Sequence, residues 1–311
     1  MDVHQLRVFC SVYRNRSFSK ASRELFLSQP TISDHIKTLE EALGSRLFDR
    51  LGRSIAPTKE SLMLYPRAIE IIEKLDTITS DIKLVRAEPS GELLVGASSL
   101  PGSLLIPRAA ASFKLLYPAV SFRLVARDSG AITNMVMDHE LPLGIVGAIM
   151  ERPAMERRAL EFSCLTDDDL ILVCADRMRH AEKGTISLGD LPGLPFVARH
   201  DGSGTKKTVE EYFTNKGVPA DRLNVVASFS SADSMAEAIR SGLGAGVLPR
   251  LYAAREIETG SLREIKMAGL KMRQNFYIVT HRKRTISGVL RLFLDHLKTV
   301  ASGLKDACLK K

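Results

Sequence analysis

Along the first forty positions, apolar residues recur at helical spacing in three short blocks separated by polar breaks. Leu6, Phe9, Val12 and Tyr13 give a first helix one oily face. Arg14-Asn15-Arg16 interrupts the pattern, and Ser17 can then accept the unpaired N–H groups that open a second helix. The inward face of that helix would be Phe18, Ala21 and Leu25. After a turn at Phe26-Leu27, Ser28 caps a third helix, with Pro30 in its first turn, where a backbone N–H has no partner to lose. Ile32, Ile36 and Leu39 fall at i, i+4 and i+7 and face inward. That leaves Gln29, Thr31, Ser33, Asp34, His35, Lys37 and Thr38 off the buried stripe.

Two short helices joined by a tight turn, the second showing small polar and basic side chains near its N-terminus, fit a helix-turn-helix that reads base edges in the major groove. A generic cap of three helices with one solvated face fits the same periodicity. The next segment separates the two. Leu47-Phe48-Asp49-Arg50-Leu51-Gly52-Arg53-Ser54-Ile55-Ala56-Pro57-Thr58 predicts a hairpin turning at Gly52, with Arg50 and Arg53 beside its tip. Such a basic wing can grip phosphates.

Leu64, Ala68, Ile71, Leu75, Ile78, Ile82 and Val85 then recur with alternating spacings of four and three, a heptad seam along one helix. Over residues 58–87 that helix would reach about 45 Å, with a kink or a fresh start at Pro66. It either packs on its own domain or pairs with a second copy. A seam just after a DNA-reading unit favours the pair, because two recognition helices about 34 Å apart would read a dyad site.

Beyond the linker Glu88-Pro89-Ser90-Gly91, apolar runs alternate with helical patterns. Strands are expected at Leu93–Ala97, Val120–Val125, Leu143–Val146, Leu170–Cys174, Phe196–Ala198, Asn224–Ala227, Gly246–Leu248 and Phe276–Thr280. Helices are expected at 103–117, 204–216, 231–242 and 286–300, an α/β order with mostly parallel pairing. Two loops share a chemistry: Ser98-Ser99-Leu100-Pro101-Gly102 and Arg199-His200-Asp201-Gly202-Ser203-Gly204-Thr205. Each places small hydroxyl residues and Gly where a strand ends and a helix opens. Either the hydroxyls simply cap their helices, or the exposed N–H groups receive an anion such as carboxylate or sulfate. Asp201 would repel an anion if it pointed inward.

Composition narrows the classes without choosing one. The chain has 311 residues, 45% hydrophobic and 26% charged, enough for two or three domains with sizeable cores. No apolar run is long enough to span a membrane and the N-terminus has no signal-peptide core, so a cytoplasmic protein is expected. The net charge of +8 permits a nucleic-acid partner, yet it is unevenly placed. Residues 1–60 hold ten Lys/Arg against seven Asp/Glu, whereas 263–311 hold twelve against three. The DNA reading therefore rests on the motif. Cys10, Cys164, Cys174 and Cys308 share no metal-ligand spacing and are expected as buried thiols, the alternative being a redox switch built from Cys164 and Cys174. No metal or cofactor is expected. An enzyme is the competing class, but GxSxG, GxGxxG, P-loop and HExxH patterns are absent. A transport solute-binding protein would need a secretory signal.

The stretch from Leu6 to Thr58, with SFSKAS at 17–22, SQPTISDHIKTLEEALG at 28–44 and RLFDR at 46–50, resembles the DNA-binding domain of LysR-type transcriptional regulators. The resemblance continues more loosely in GASSLPGSLLIP at 96–107, LPLGIVGA at 141–148, SGT at 203–205 and GLGAGVLP at 242–249. One departure is Glu60-Ser61, where the family often has Gly after the wing threonine. The resemblance implies an α+β multidomain chain: a winged helix-turn-helix (1–60), a linker and dimerisation helix (61–90) and a two-lobed, periplasmic-binding-protein-like effector domain (91–305). Lobe one would comprise 91–163 and 268–300, and lobe two 164–267. Ser28, Gln29, Pro30, Thr31, Ser33, His35 and Lys37 would lie at the DNA surface, with Arg50 and Arg53 on the wing. Ser99, Ser203 and Thr205 would contact the effector, with Ser98, Gly202 and Ala148 lining the cleft. The partners implied are double-stranded promoter DNA, a small anionic effector and a second copy of the chain, with tetramers common in the family and RNA polymerase a further candidate. The two loops resemble the branch that regulates sulfur assimilation.

Overall fold

The computed structural model describes residues 1–51, 54–85, 89–178, 184–267 and 271–309; the side chains of 50, 51, 54, 80, 83–85 and 305–309 are outside the description. The chain divides into two units, residues 1–87 with 283–288, and residues 88–282 with 289–311.

In the first unit, α1 spans Val3–Asn15, α2 Phe18–Leu25 and α3 Gln29–Leu43. Their caps are local and chemical. Ser17 accepts the Lys20 N–H, Ser28 accepts the Thr31 N–H at 3.2 Å, and Gly44 ends α3 in the left-handed conformation that suits glycine. Strands β1 (Phe48–Leu51) and β2 (Ser54–Pro57) pair antiparallel, with Leu51 opposite Ser54, as the hairpin pattern requires. Helix α4 (Lys59–Val85) begins directly after Thr58, whose hydroxyl accepts the Ser61 N–H; Ser61 is buried and donates to the Leu47 carbonyl. The Glu60-Ser61 departure therefore leaves the helix start intact. The helix runs through Pro66 without interruption, which removes the one N–H that the Leu62 carbonyl would have received.

The core of this unit is Phe9, Val12, Ala21, Ile32, Ile36, Leu39, Leu47 and Phe48, together with Tyr65, Ala68, Ile69 and Ile72 of α4. Tyr13 stacks on Tyr65 with ring centroids 4.1 Å apart. The first half of α4 is thus part of the DNA-reading unit. This changes the reading of the heptad seam. Ala68 is fully buried in its own chain's core and Leu64 packs against it, because the helix must bury its N-terminal turns on α1 before it can offer a face to anything else. Ile71, Leu75, Ile78 and Ile82 remain exposed, and the side chain of Val85 lies outside the description.

In the second unit, β3 (Gly91–Ala97) pairs parallel with β4 (Val120–Ala126) and β5 (Leu143–Val146). A helix opening at Ser99 takes the wider π form over Pro101–Leu105 and continues as α5 (Ile106–Leu116). Helix α6 is Ser129–Met137 and α7 Ala154–Ala159. Then β6 runs from Leu160 to Ala175, far beyond the five residues expected, followed by β7 (Thr185–Ile186) and β8 (Phe196–Arg199). The remaining elements are α8 (Gly204–Asn215), β9 (Val225–Phe229), α9 (Ala232–Arg240), β10 (Gly246–Pro249), α10 (Arg250–Glu258), β11 (Leu262–Met267), β12 (Met272–His281) and α11 (Gly288–Leu309).

Pairing is mixed, not mostly parallel. The eight-stranded sheet has the order β4-β3-β5-β12-β6-β11-β7, with β10 also on β6, and β8-β9 form a separate parallel pair. All partners of β6 are antiparallel to it. The reason is that β6 and β12 are each long enough to serve both lobes, and β12 returns alongside β6 instead of crossing over. A bulge between Phe276 and Tyr277 lets the two strands change register where they pass from one lobe to the other.

The cysteines follow this topology. Cys10 and Cys174 are buried, which pushes their thiols up to about 12 and about 11. Cys164 is exposed, against the expectation of a buried thiol. Cys164 and Cys174 lie on the single strand β6, ten residues and about 33 Å apart, so they cannot form a disulfide within one chain.

Asp168 is buried on β6 and accepts the Leu251 N–H of α10 at 2.9 Å. Desolvation dominates and raises its carboxyl to about 7, against which the hydrogen bonds from Leu251 and Asp169 act. A group that holds its proton more tightly when folded destabilises the fold as pH rises from the unfolded value near 4 through about 7. Asp168→Asn should therefore gain stability relative to the parent at pH 8, with the gain shrinking toward pH 5. Thermal denaturation of both proteins across that range checks this, and a difference independent of pH would contradict it.

Candidate functional site

The DNA-facing candidate is the polar side of α3. Ser28, Gln29 and Pro30 are exposed at its start, Thr31 and Ser33 are half-buried, and Lys37 is exposed with its side chain 75% accessible and only a loose 3.8 Å approach to Glu41. The Ser19 hydroxyl of α2 donates to Gln29 Oε1 at 3.0 Å, and the Ser28 and Thr31 hydroxyls lie 2.7 Å apart. These contacts hold the first-turn side chains in a defined arrangement ahead of any ligand, which lowers the cost of ordering them on binding. His35 is different: its ring packs edge-on against His4 of α1, with centroids 4.7 Å apart, so it braces α3 at that end. The side chain of Arg50 and all of Arg53 lie outside the described residues.

The second candidate is a cleft of about 390 Å³ lined by Ser99, Ser103, Arg127, Asp128, His200 and Ser230–Asp233. Behind two of these lining residues Arg199, 5% exposed, donates to the Ser99 hydroxyl at 2.9 Å and to the carbonyls of Ser230 at 2.8 Å and Phe229 at 3.2 Å. Burial lowers the pKa of this guanidinium, and Asp128 and Asp233 act in the opposite sense. Asp128 caps α6 through the Ala131 N–H at 2.8 Å and faces the His200 ring at 3.6 Å. Helices opening at Ser99, Ser129 and Ala232 all begin at this cleft, bringing their positive ends to it.

Residues 3–61 match the family model of the bacterial regulatory helix-turn-helix protein, lysR family, and residues 86–302 match that of the LysR substrate binding domain. The chain belongs to the LysR family. The transcriptional activator CmpR of Synechocystis is 28% identical to it over 295 residues, which are 95% of this chain and 94% of CmpR. A full-length OxyR variant from Pseudomonas aeruginosa shares its fold at a TM-score of 0.72 and 17% identity, over 97% of each chain. CbnR complexed with its target DNA does so at 0.60 and 18% identity, over 97% of this chain and 100% of that one. This LysR-type chain is a DNA-binding transcriptional regulator with an effector-binding domain, and not an enzyme.

Within this LysR regulator, the six residues expected around the effector divide into two groups. Ser99 lines the open cleft, and Gly202, at φ +85°, backs onto the Asp128 carboxylate beside it. Ser98, Ser203 and Thr205 line an adjoining narrow recess of about 10 Å³, which Ser99 and Asp128 share, and Thr205 also lines a cavity of about 230 Å³ beside Arg199. Ser98 and Ser203 are engaged within their own lobes, and Thr205 reaches across to Gln274. Ser98 and Ser129 both accept the Gly147 N–H, at 3.1 and 3.2 Å. Gln274 donates to the Gly147 carbonyl at 2.8 Å and accepts from Thr205 at 3.1 Å. Ser203 caps α8. Ala148 is buried at the same seam, and a Cβ on Gly204 would come within 2.6 Å of the Gly147 carbonyl carbon and 2.9 Å of the Ala148 nitrogen. Asp201 points away, 95% accessible and paired with Lys206 at 2.7 Å, which lowers its pKa. Its charge does not face the cleft.

Sequence reasoning passed over Arg199 and Asp128 as site residues. Arg199 had a signal: an arginine ending the otherwise apolar strand Phe196–Ala198 must find partners where that strand stops. Asp128 had only the signature of a helix cap.

Proposed function

We propose that this regulator binds a promoter duplex as a dimer and answers to a small effector carrying a carboxylate or similar oxyanion, held at Ser99 and Arg199. The observation that carries the effector assignment is Arg199: a buried guanidinium bonded to Ser99 and Ser230 in the wall of an open cleft where three helices start. A planar fork of N–H donors in that setting favours an oxyanion, which would displace or share the Ser99 hydroxyl now bonded to it. Asp128, His200 and Arg127 add polar partners of both signs, which favours an effector bearing hydroxyl groups besides its anionic end. Entry of the ligand would bias the closure of the lobes around the Gly147–Gln274–Thr205 seam and so the geometry of the DNA-bound pair.

The polar face of α3 would enter the major groove, with Gln29, Thr31 and Ser33 reading base edges and Lys37 on a phosphate. The pairing surface would be the exposed row Ile71, Leu75, Ile78 and Ile82, at heptad spacing on the half of α4 that the chain's own core leaves open. RNA polymerase is a reasonable partner for a DNA-bound regulator, but no residue here is assigned to it.

Arg199→Gln tests the effector site. The parent should show thermal stabilisation by some member of a panel of sulfate, phosphate and small hydroxy-carboxylates, and the variant should bind that member about tenfold more weakly or worse. Equal stabilisation of both proteins would remove Arg199 from the site. On the DNA side, Lys37→Ala should weaken binding to a duplex selected by the parent and flatten the log–log salt dependence by about one unit. An unchanged slope would place Lys37 away from phosphate. For assembly, Ile78→Glu should convert dimers to monomers in light scattering, because a charge would be buried against its twin; a variant still dimeric at micromolar concentration would move the pairing surface elsewhere.

A further inference from the structure

Among the described residues, Phe26 has a placement that the fold does not explain. It is 93% exposed, and it adopts a left-handed backbone at φ +54°, where a residue with a Cβ is disfavoured and glycine is not. The turn that holds it there is well tied. The Phe26 and Leu27 N–H groups both reach the Ser22 carbonyl, and the Ser22 hydroxyl donates to the Leu27 carbonyl at 2.6 Å. Leu27 packs against the core of the unit and Phe26 does not. The phenyl ring thus adds nothing to the buried core, leaves apolar surface in water and sits on strained backbone. A glycine would serve the turn better.

We propose that Phe26 is a DNA-contact residue, its ring packing on the deoxyribose–phosphate backbone at the edge of the groove that α3 enters. Phe26 sits in the turn between α2 and α3, two residues before the Ser28 that caps α3. Ser19 and Arg23 share one face of α2 at a spacing of four, Phe26 caps the C-terminal end of that helix, and the Ser19 hydroxyl bonds Gln29 at the start of α3. Arg23 is exposed, three residues before the ring in sequence, with its Nε on the Ser19 carbonyl at 3.4 Å. In a helix-turn-helix the first helix crosses the sugar–phosphate backbone while the second lies in the groove. The C-terminal end of α2 is then where a backbone strand passes, with Arg23 suited to a phosphate and the neighbouring ring to the apolar face of a sugar. This rests on the DNA-binding reading of α3, and it predicts a contact that carries no base sequence information.

The test uses the full chain, a duplex selected from a random pool by the parent protein, and three variants: Phe26→Gly, Phe26→Tyr and Arg23→Ala. Phe26→Gly should keep or raise Tm because strain is relieved, yet bind the duplex about tenfold more weakly, with the salt slope unchanged since no phosphate ion contact is lost. Phe26→Tyr, which keeps the ring, should bind as the parent does, and Arg23→Ala should flatten the salt slope by about one unit. Parent-like affinity in Phe26→Gly would overturn the proposal and leave the ring to a protein partner. A loss of affinity accompanied by a fall in Tm would overturn it too, making the ring structural. If the parent itself selects no duplex, the DNA reading of α3 fails first, a result distinguishable from either.

Discussion

Ile32, Ile36 and Leu39, fully buried on one side of α3, are the contact on which the DNA-reading half depends. They fix the helix rotationally, so its remaining faces are decided before any ligand is met. Phe9 and Val12 of α1, Ala21 of α2, and Tyr65 and Ala68 of α4 share that core. Removing one of these large side chains would cost about 2–5 kcal/mol, and the loss would appear as a recognition helix free to roll. The Ser19–Gln29 bond and the His4–His35 contact then trim the orientation at the two ends of the exposed face.

The effector domain depends on a different kind of contact, polar and built around Gly147. Its N–H and its carbonyl are both taken, by Ser98 and Ser129 on one side and Gln274 on the other, and Gly204 can approach it only because Gly204 has no side chain. A seam made of a few hydrogen bonds and one close backbone approach can open at modest cost, whereas an apolar interface of similar extent would resist. It lies next to the cleft lined by Ser99, to which Arg199 is bonded. A ligand there and the closure of the lobes therefore draw on adjoining groups.

What could be read from sequence alone was what local chemistry decides. Ser17 and Ser28 cap because a hydroxyl at that position has an N–H to accept, and Ile32, Ile36 and Leu39 are buried because their spacing leaves one stripe. The strand Leu143–Val146 was legible for the same reason, as four apolar residues buried on both faces. Features that depend on distant chain were not. The sixteen-residue reach of β6 and its antiparallel partners follow from where β12 returns, which no window around residue 170 contains. Ala68 fitted a seam by spacing and is instead claimed by α1, since a heptad pattern marks an apolar face without naming what covers it. Ser203 was legible as a helix cap, whereas the bond from Thr205 to Gln274, 69 residues away, was not.

The central claim, that the polar face of α3 lies in the major groove, is tested most directly by local cleavage of DNA. An iron chelate attached at Ser33→Cys, in a chain whose Cys164 and Cys308 are replaced by Ala, would generate hydroxyl radicals at that face. The account predicts cuts confined to two short clusters on the selected duplex, about one helical turn or a multiple of it apart. The same chelate at Thr79→Cys on the exposed side of α4 should give no such clusters. Diffuse cleavage from position 33, indistinguishable from that at 79, would contradict it.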